Sequence, residues 1–245
     1  MRVMANQCKA EILRLFRNPY YVFWSLFMPI VFYVIFTKVL NVGAPDKKLW
    51  DAHFLMSMAA FSVMGSSIMT LGIRIVQERT EGWTTFMKVT PLSGIIYFAA
   101  KMLGQTMIHL FSIIVIFIAG SLINGVSLAA GEWIMCGLWI LAASLPFLAL
   151  GTLVGTMKRV DTATGVSNVI YMLLAVTGGM WMPVEVLPKT IQTIGSWLPA
   201  YHFGAGAWEM IRGQMPEVKN ILILAGYLIL FMVLSTYIRR KQEVV

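Results

Sequence analysis

An all-α integral membrane protein is the fold class this sequence predicts, and three observations lead to it. Of 245 residues, 58% are hydrophobic and only 12% are charged, which is too apolar for a soluble domain. Six apolar runs reach the roughly 20 residues that a helix needs to cross a hydrocarbon core. The charges collect in the short segments between those runs, and Lys and Arg favour alternate segments, as the positive-inside rule requires. The net charge of +8 could suggest nucleic acid. Its placement in inter-span loops, with no recognisable nucleic-acid module, argues for no nucleic-acid partner.

In chain order, Met1 to Arg17 is a basic amphipathic segment. Met4, Cys8, Ile12, Leu15 and Phe16 share a helical face, while Arg2, Lys9, Arg14 and Arg17 fall largely elsewhere. Such a helix lies in the interface with its cations near anionic lipid headgroups. Asn18-Pro19 then turns the chain inward, and Tyr20, Tyr21 and Trp24 stand at the depth of an aromatic belt. The uncharged run from Asn18 to Thr37 is longer than the apolar region of a secretory signal, so it reads as an uncleaved span. The six spans are placed at Tyr20–Leu40, Phe54–Ile73, Ile95–Leu122, Trp133–Met157, Ala163–Met182 and Ile221–Ile238. Pro29 and Pro146 are expected to kink the first and fourth. The stretch Thr190–Trp208 has no Lys, Arg, Asp or Glu, but Gly195, Pro199, Gly204 and Gly206 break it. It reads as two short helices dipping into the outer leaflet rather than a seventh span.

Charge fixes that count. With six spans and both termini cytoplasmic, the outer segments hold Lys38, Lys47, Lys48, Lys189, Arg212 and Lys219, and the other thirteen of nineteen cations face inward. A seventh span would carry Arg239-Arg240-Lys241 to the outer face, against the rule.

Catalytic motifs are sparse. There is no H-E-x-x-H, no G-x-S-x-G and no intramembrane carboxylate cluster. Of the lysines, Lys189 alone is followed by Ser or Thr, and Pro188 precedes it, so the chain has no Walker A loop for ATP. Cys8 and Cys136 form neither a disulfide framework nor a metal site.

Three features remain as candidate sites. The longest charged interruption is Arg74 to Pro91, where Trp83, Phe86 and Met87 recur at helical spacing among Glu78, Arg79, Glu81 and Lys88. It reads either as a short helix that docks on another protein or as a loop resting on headgroups. On the third span, Lys101, Gln105 and His109 follow at steps of four with Ser112 next, a polar stripe that turns away from lipid. It either lines a substrate path or has Lys101 snorkelling while Gln105 and His109 bond neighbouring helices. Gly151 and Gly155, with a small-residue face on span five that includes Asn168, permit close helix approach, for intramolecular packing or a dimer seam.

The order of these pieces resembles a known family. Asn18-Pro19 ends the basic helix, Glu78-Arg79-x-x-Gly82 precedes Thr90-Pro91-Leu92, Met182-Pro183 and Leu187-Pro188 follow span five, and Trp197-Leu198-Pro199 and Arg212-Gly213 precede span six. Over essentially its whole length the chain resembles the membrane subunit of type-2 ABC exporters. That resemblance implies an interfacial connecting helix at 1–18 and a cytoplasmic coupling loop at 74–91 in which Glu78, Arg79, Glu81, Gly82, Trp83, Phe86 and Met87 meet a separate ATPase. It also implies outer re-entrant helices at 184–212 and a second permease subunit. This chain would bind no cofactor, ATP and Mg residing on the partner ATPase. The cargo expected of an apolar, aromatic-rich interior is amphiphilic, a drug, antimicrobial or lipid-like molecule, with Gln105, His109 and Asn168 as candidate path residues. The rival classes are a membrane-embedded lipid-modifying enzyme and a membrane scaffold or sensor.

Overall fold

The computed structural model describes residues 2–40, 46–83, 89 and 94–243, and all regular structure among them is helical. The basic N-terminal segment forms α1 (Arg2–Phe16). After the Asn18-Pro19 turn comes α2 (Pro19–Val34), which holds Pro29 internally and runs on as a π-helical turn over Ile35–Val39. Asp46 then caps α3 (Lys47–Gly65), its side chain accepting the Leu49 amide at 3.1 Å, as an N-cap carboxylate should. Without a break, α3 passes through a π-turn (Ser66–Leu71) into α4 (Gly72–Thr80).

The second half continues the pattern. It comprises α5 (Gly94–Asn124), α6 (Ala130–Ala143), α7 (Leu145–Val154) and α8 (Val160–Thr177). A 3-10 turn at Val184–Val186 leads to α9 (Lys189–Gly195) and α10 (Pro199–Met210), and α11 (Val218–Glu243) closes the chain. The proline of the fourth span disturbs it as expected, in a one-residue break at Ser144 within the Ala130–Val154 helix. Pro146 sits in the first turn of α7, and the Ser144 carbonyl takes the amides of Phe147 and Leu148. A proline nitrogen has no proton to give and is tolerated at a helix start.

Among the described residues, five helices are long and apolar enough to cross a membrane: Lys47–Thr80, Ile96–Asn124, Ala130–Val154, Val160–Thr177 and Val218–Gln242. The first predicted span corresponds to a shorter apolar helix, Phe23–Val39. The second exceeds its expected bounds of Phe54–Ile73 at both ends. Arg74 and Glu78 continue the helix because their charges find partners there, as described below.

That second span is the axis of the bundle. Every residue from Asp51 to Ile68 is buried, and Phe54, Met58, Phe61 and Met64 join the main core with Tyr33, Phe147, Tyr171 and Phe203. Leu222, Ile229, Met232, Val233 and Tyr237 of α11 stay exposed, as lipid-facing side chains would. Both chain ends lie at one end of the bundle. There α1 meets α4 and α5 through its acidic and basic side chains. In α11 the Arg239 guanidinium lies 4.5 Å from the Phe98 ring centroid, and Gln242 donates to the Thr156 carbonyl at 2.9 Å.

Candidate functional site

Where α1, α4 and α5 converge, five charged side chains form a knot whose centre, Glu78 and Lys101, is buried while Arg14 reaches the surface. Glu78 is 2% exposed and Lys101 is 1% exposed. The Lys101 ammonium donates to both Glu78 oxygens, at 2.8 and 2.7 Å. Arg14 of α1 donates to Glu78 Oε1 at 2.8 Å, and the Tyr97 hydroxyl donates to Oε2. Arg74 bonds Glu11 at 2.5 Å and stands 3.8 Å from Glu78, one helical turn away. Lys101 also reaches Glu11 at 3.6 Å. Three cations therefore enclose two carboxylates. Isolated charges at such burial would be prohibitively costly, and paired ones are tolerated.

The snorkelling expected of Lys101 does not occur. Its side chain has no exposed surface, because a carboxylate sits within reach and makes a longer path to water unnecessary. Glu78, one of the expected coupling residues, ties α4 to α1 and α5 through Arg14 and Lys101.

The helix after Glu78 stops in a defined way. Arg79 donates to the Met157 carbonyl, beyond the end of α7, where unpaired helix carbonyls attract a cation. The Glu81 amide closes onto Gln77, and Gly82 follows with φ 76°, a left-handed geometry that favours glycine. Trp83 emerges with 42% of its surface exposed. Phe86 and Met87, the other two aromatic and apolar members of the expected docking face, lie outside the described residues.

The polar stripe on α5 faces inward. Gln105 and His109 are fully buried. Gln105 Nε2 donates to the Ser66 hydroxyl at 2.5 Å, and His109 lies 3.2 Å from the Ser67 hydroxyl and 3.4 Å from that of Ser144. Both side chains thus bond the π-turn of the second span or the α6–α7 break. Serine hydroxyls at that turn are the signal that points to these partners in the sequence. Against the same turn packs Gly151, where a Cβ would come within 2.1 Å of the Ser67 carbonyl oxygen. At Gly155 a Cβ would come within 2.8 Å of the Ile75 side chain, so the G-x-x-x-G pair serves packing within the chain.

On the other side of the second span, a cavity of about 900 Å³ opens between α2, α3–α4 and α8. Trp24, Met28, Phe32, Met69 and Tyr171 give it an apolar wall, and Asn168, Thr70 and Gln77 supply polar points. Gln105 and His109 do not line it; Asn168 does. Arg14 and Arg74 close one end of the cavity, so two members of the ionic knot are also members of its wall. Sequence reading overlooked the aromatic and methionine lining contributed by α2. Those residues carry no sequence mark that separates them from lipid-facing ones.

Fold and site together define a multi-pass membrane protein with no catalytic constellation among the described residues. The chain belongs to the ABC-2 transporter family: residues 51–237 match the family model described as ABC-2 family transporter protein. It is also 61% identical, over the full length of both chains, to the "Putative transport permease YvfS" of Bacillus subtilis (strain 168).

Proposed function

We propose that this chain is the permease subunit of an ATP-driven exporter of amphiphilic molecules in the cell membrane. It would work with a separate cytoplasmic ATPase and a second permease subunit, surrounded by membrane lipids. The basic end of the bundle, with both termini, faces the cytoplasm, and the chain crosses six times, counting Phe23–Val39. The segment 184–212 returns to the outer face as a re-entrant pair, α9 and α10. The half-open cavity between α2, α3–α4 and α8 forms one side of the cargo path, and the partner permease covers it. Asn168 contributes a polar point within that path.

The observation that carries this reading is the ionic knot. It binds the connecting helix α1 and the start of α5 to Glu78, four residues before Gly82 and the exposed Trp83. A push on the loop from an ATPase would therefore move α4, α1 and the cavity wall together. The test is to co-express the chain with its ATPase and measure pull-down and stimulated ATP hydrolysis for wild type and Trp83→Ala at matched membrane levels. Loss of a buried interface aromatic costs about 2–4 kcal/mol, a loss of a factor of 30 or more in association. Full association and stimulation in Trp83→Ala would refute the docking role and favour a loop lying on headgroups.

A further inference from the structure

The cavity between α2, α3–α4 and α8 is unequal along its length. On the second span its lining runs from Phe61 to Gln77, about 24 Å of helix at 1.5 Å per residue. That exceeds one leaflet of a hydrocarbon core about 30 Å thick, so an extended alkyl chain fits beside it. Trp24, Met28, Phe32 and Met69 make this wall apolar, and Trp24 and Met28 stay exposed. Polar groups along it already have partners within the chain. The Ser62 hydroxyl donates to the Ser25 carbonyl at 3.1 Å, that of Tyr171 to the Phe61 carbonyl at 3.2 Å, and Asn168 Nδ2 to the Thr164 carbonyl at 3.1 Å.

Only the basic end carries charge. Arg14 and Arg74 stand in the wall there, and among the described residues no carboxylate lines the cavity. Their partners Glu11 and Glu78 are buried behind them and do not cancel them. Arg14, Arg74 and Lys101 bring three positive charges to two negative ones, and the Tyr97 hydroxyl on Glu78 adds a donor without charge. Lys101 has no exposed surface, so the arginines present the surplus. Among the described residues Arg14 gives Glu78 one hydrogen bond and Arg74 gives Glu11 one, whereas a guanidinium has five N–H donors. Its planar fork suits a phosphate or carboxylate. A cationic amphiphile would meet like charge at this end, which is costly wherever water is excluded.

We propose that the cavity takes an anionic amphiphile, with its phosphate or carboxylate head on Arg14 and Arg74 and its chain along the apolar wall. This rests on the cavity being part of the cargo path, and it narrows the cargo by charge. A bilayer phospholipid and a free alkyl phosphate share that chemistry. The test places the full-length protein in nanodiscs of phosphatidylcholine, which has no net charge. Quenching of tryptophan fluorescence is measured with a bromoalkyl phosphate and with a bromoalkyl trimethylammonium of equal chain length. Trp24→Phe gives the signal of the other tryptophans, to be subtracted. The phosphate probe should reach half-quenching at a concentration about tenfold lower than the ammonium probe. Arg74→Gln should abolish that preference, and Arg14→Gln, with its side chain half in water, should reduce it about threefold. Should Arg74→Gln fail to fold, the wild-type preference and Arg14→Gln decide the matter. Mass spectrometry of protein purified from native membranes separates the sources. An anionic phospholipid retained by wild type and lost in Arg14→Gln assigns the site to bilayer lipid, and none retained assigns it to a free amphiphile; either satisfies the proposal. Equal quenching by the two probes, or a phosphate preference that neither variant reduces, overturns the anionic assignment and leaves an amphiphile path standing. Quenching of Trp24 by neither probe overturns the proposal together with the path. Selective binding without ATP-driven export of the phosphate probe, measured with the ATPase co-reconstituted, would keep the site and break the exporter reading instead.

Discussion

Two polar clusters meet α5 one turn apart and solve burial in opposite ways. At Lys101 the solution is ionic: an ammonium with no exposed surface faces Glu78 and Glu11, with Arg74 and Arg14 completing the set. At Gln105 and His109 the solution is neutral, since serine hydroxyls and a carbonyl supply the partners. The first cluster lies where helices end and water is close. The second lies inside the bundle, where a formal charge would have no such recourse. In this bundle the ionic pairing sits toward the helix ends and the neutral pairing deeper inside.

Breaking the ionic cluster should therefore have the largest effect. Lys101→Met leaves Glu78 buried with only part of its compensation, and removing one partner of a buried pair costs about 3–5 kcal/mol. Thermal unfolding in detergent should show a large loss, whereas Lys101→Met combined with Glu78→Leu should recover part of it. A double variant as unstable as the sum of the singles would mean that the two groups do not act as a pair.

Gly151→Val comes next, because it forces apart the α7–π-turn contact on which the neutral cluster rests. Its Cβ would sit 2.1 Å from a backbone oxygen, which no side-chain adjustment relieves, so the cost should be about 1–3 kcal/mol or more. Gly165→Ala, where a Cβ meets open space, is the control and should unfold as wild type does. Gln105→Leu is smaller still. It removes a neutral hydrogen bond whose net contribution is about 1 kcal/mol, and a loss as large as that of Lys101→Met would erase the distinction between the clusters.

How much of this was legible in the sequence depends on whether a residue's partner was local. The membrane class, the later spans, the inward polar stripe and the close approach at Gly151 and Gly155 follow from periodicity and residue size. The broken segment at 190–208 was also recognisable, because Gly195 and Pro199 mark the junction of α9 and α10, whereas Gly204 and Gly206, expected to break it as well, lie within the continuous α10. Lys101 was read as snorkelling because its partners are remote: Glu78 is 23 residues away and Glu11 lies on α1. Helical spacing cannot register such contacts. The break at Ser144 was legible too, since Pro146 marks where the fourth span is disturbed. The cavity wall escaped because an aromatic that lines a cleft has the same composition as one that faces lipid.

The smallest expected effect separates two cations on one carboxylate. Arg14 and Lys101 both reach Glu78 Oε1 at 2.8 Å, so distance alone would rank them equal. Their surroundings do not: the Arg14 side chain is 53% exposed and that of Lys101 is wholly buried. Water already solvates much of the guanidinium, its long side chain loses entropy when held in place, and salt screens what attraction remains. Arg14→Gln should thus cost no more than about 1 kcal/mol, and its difference from wild type should shrink as ionic strength rises. Lys101→Met should keep its deficit in high salt, because buried pairs are screened far less. Equal losses for the two variants, or equal salt sensitivity, would place the pairing energy in the number of contacts rather than in their burial.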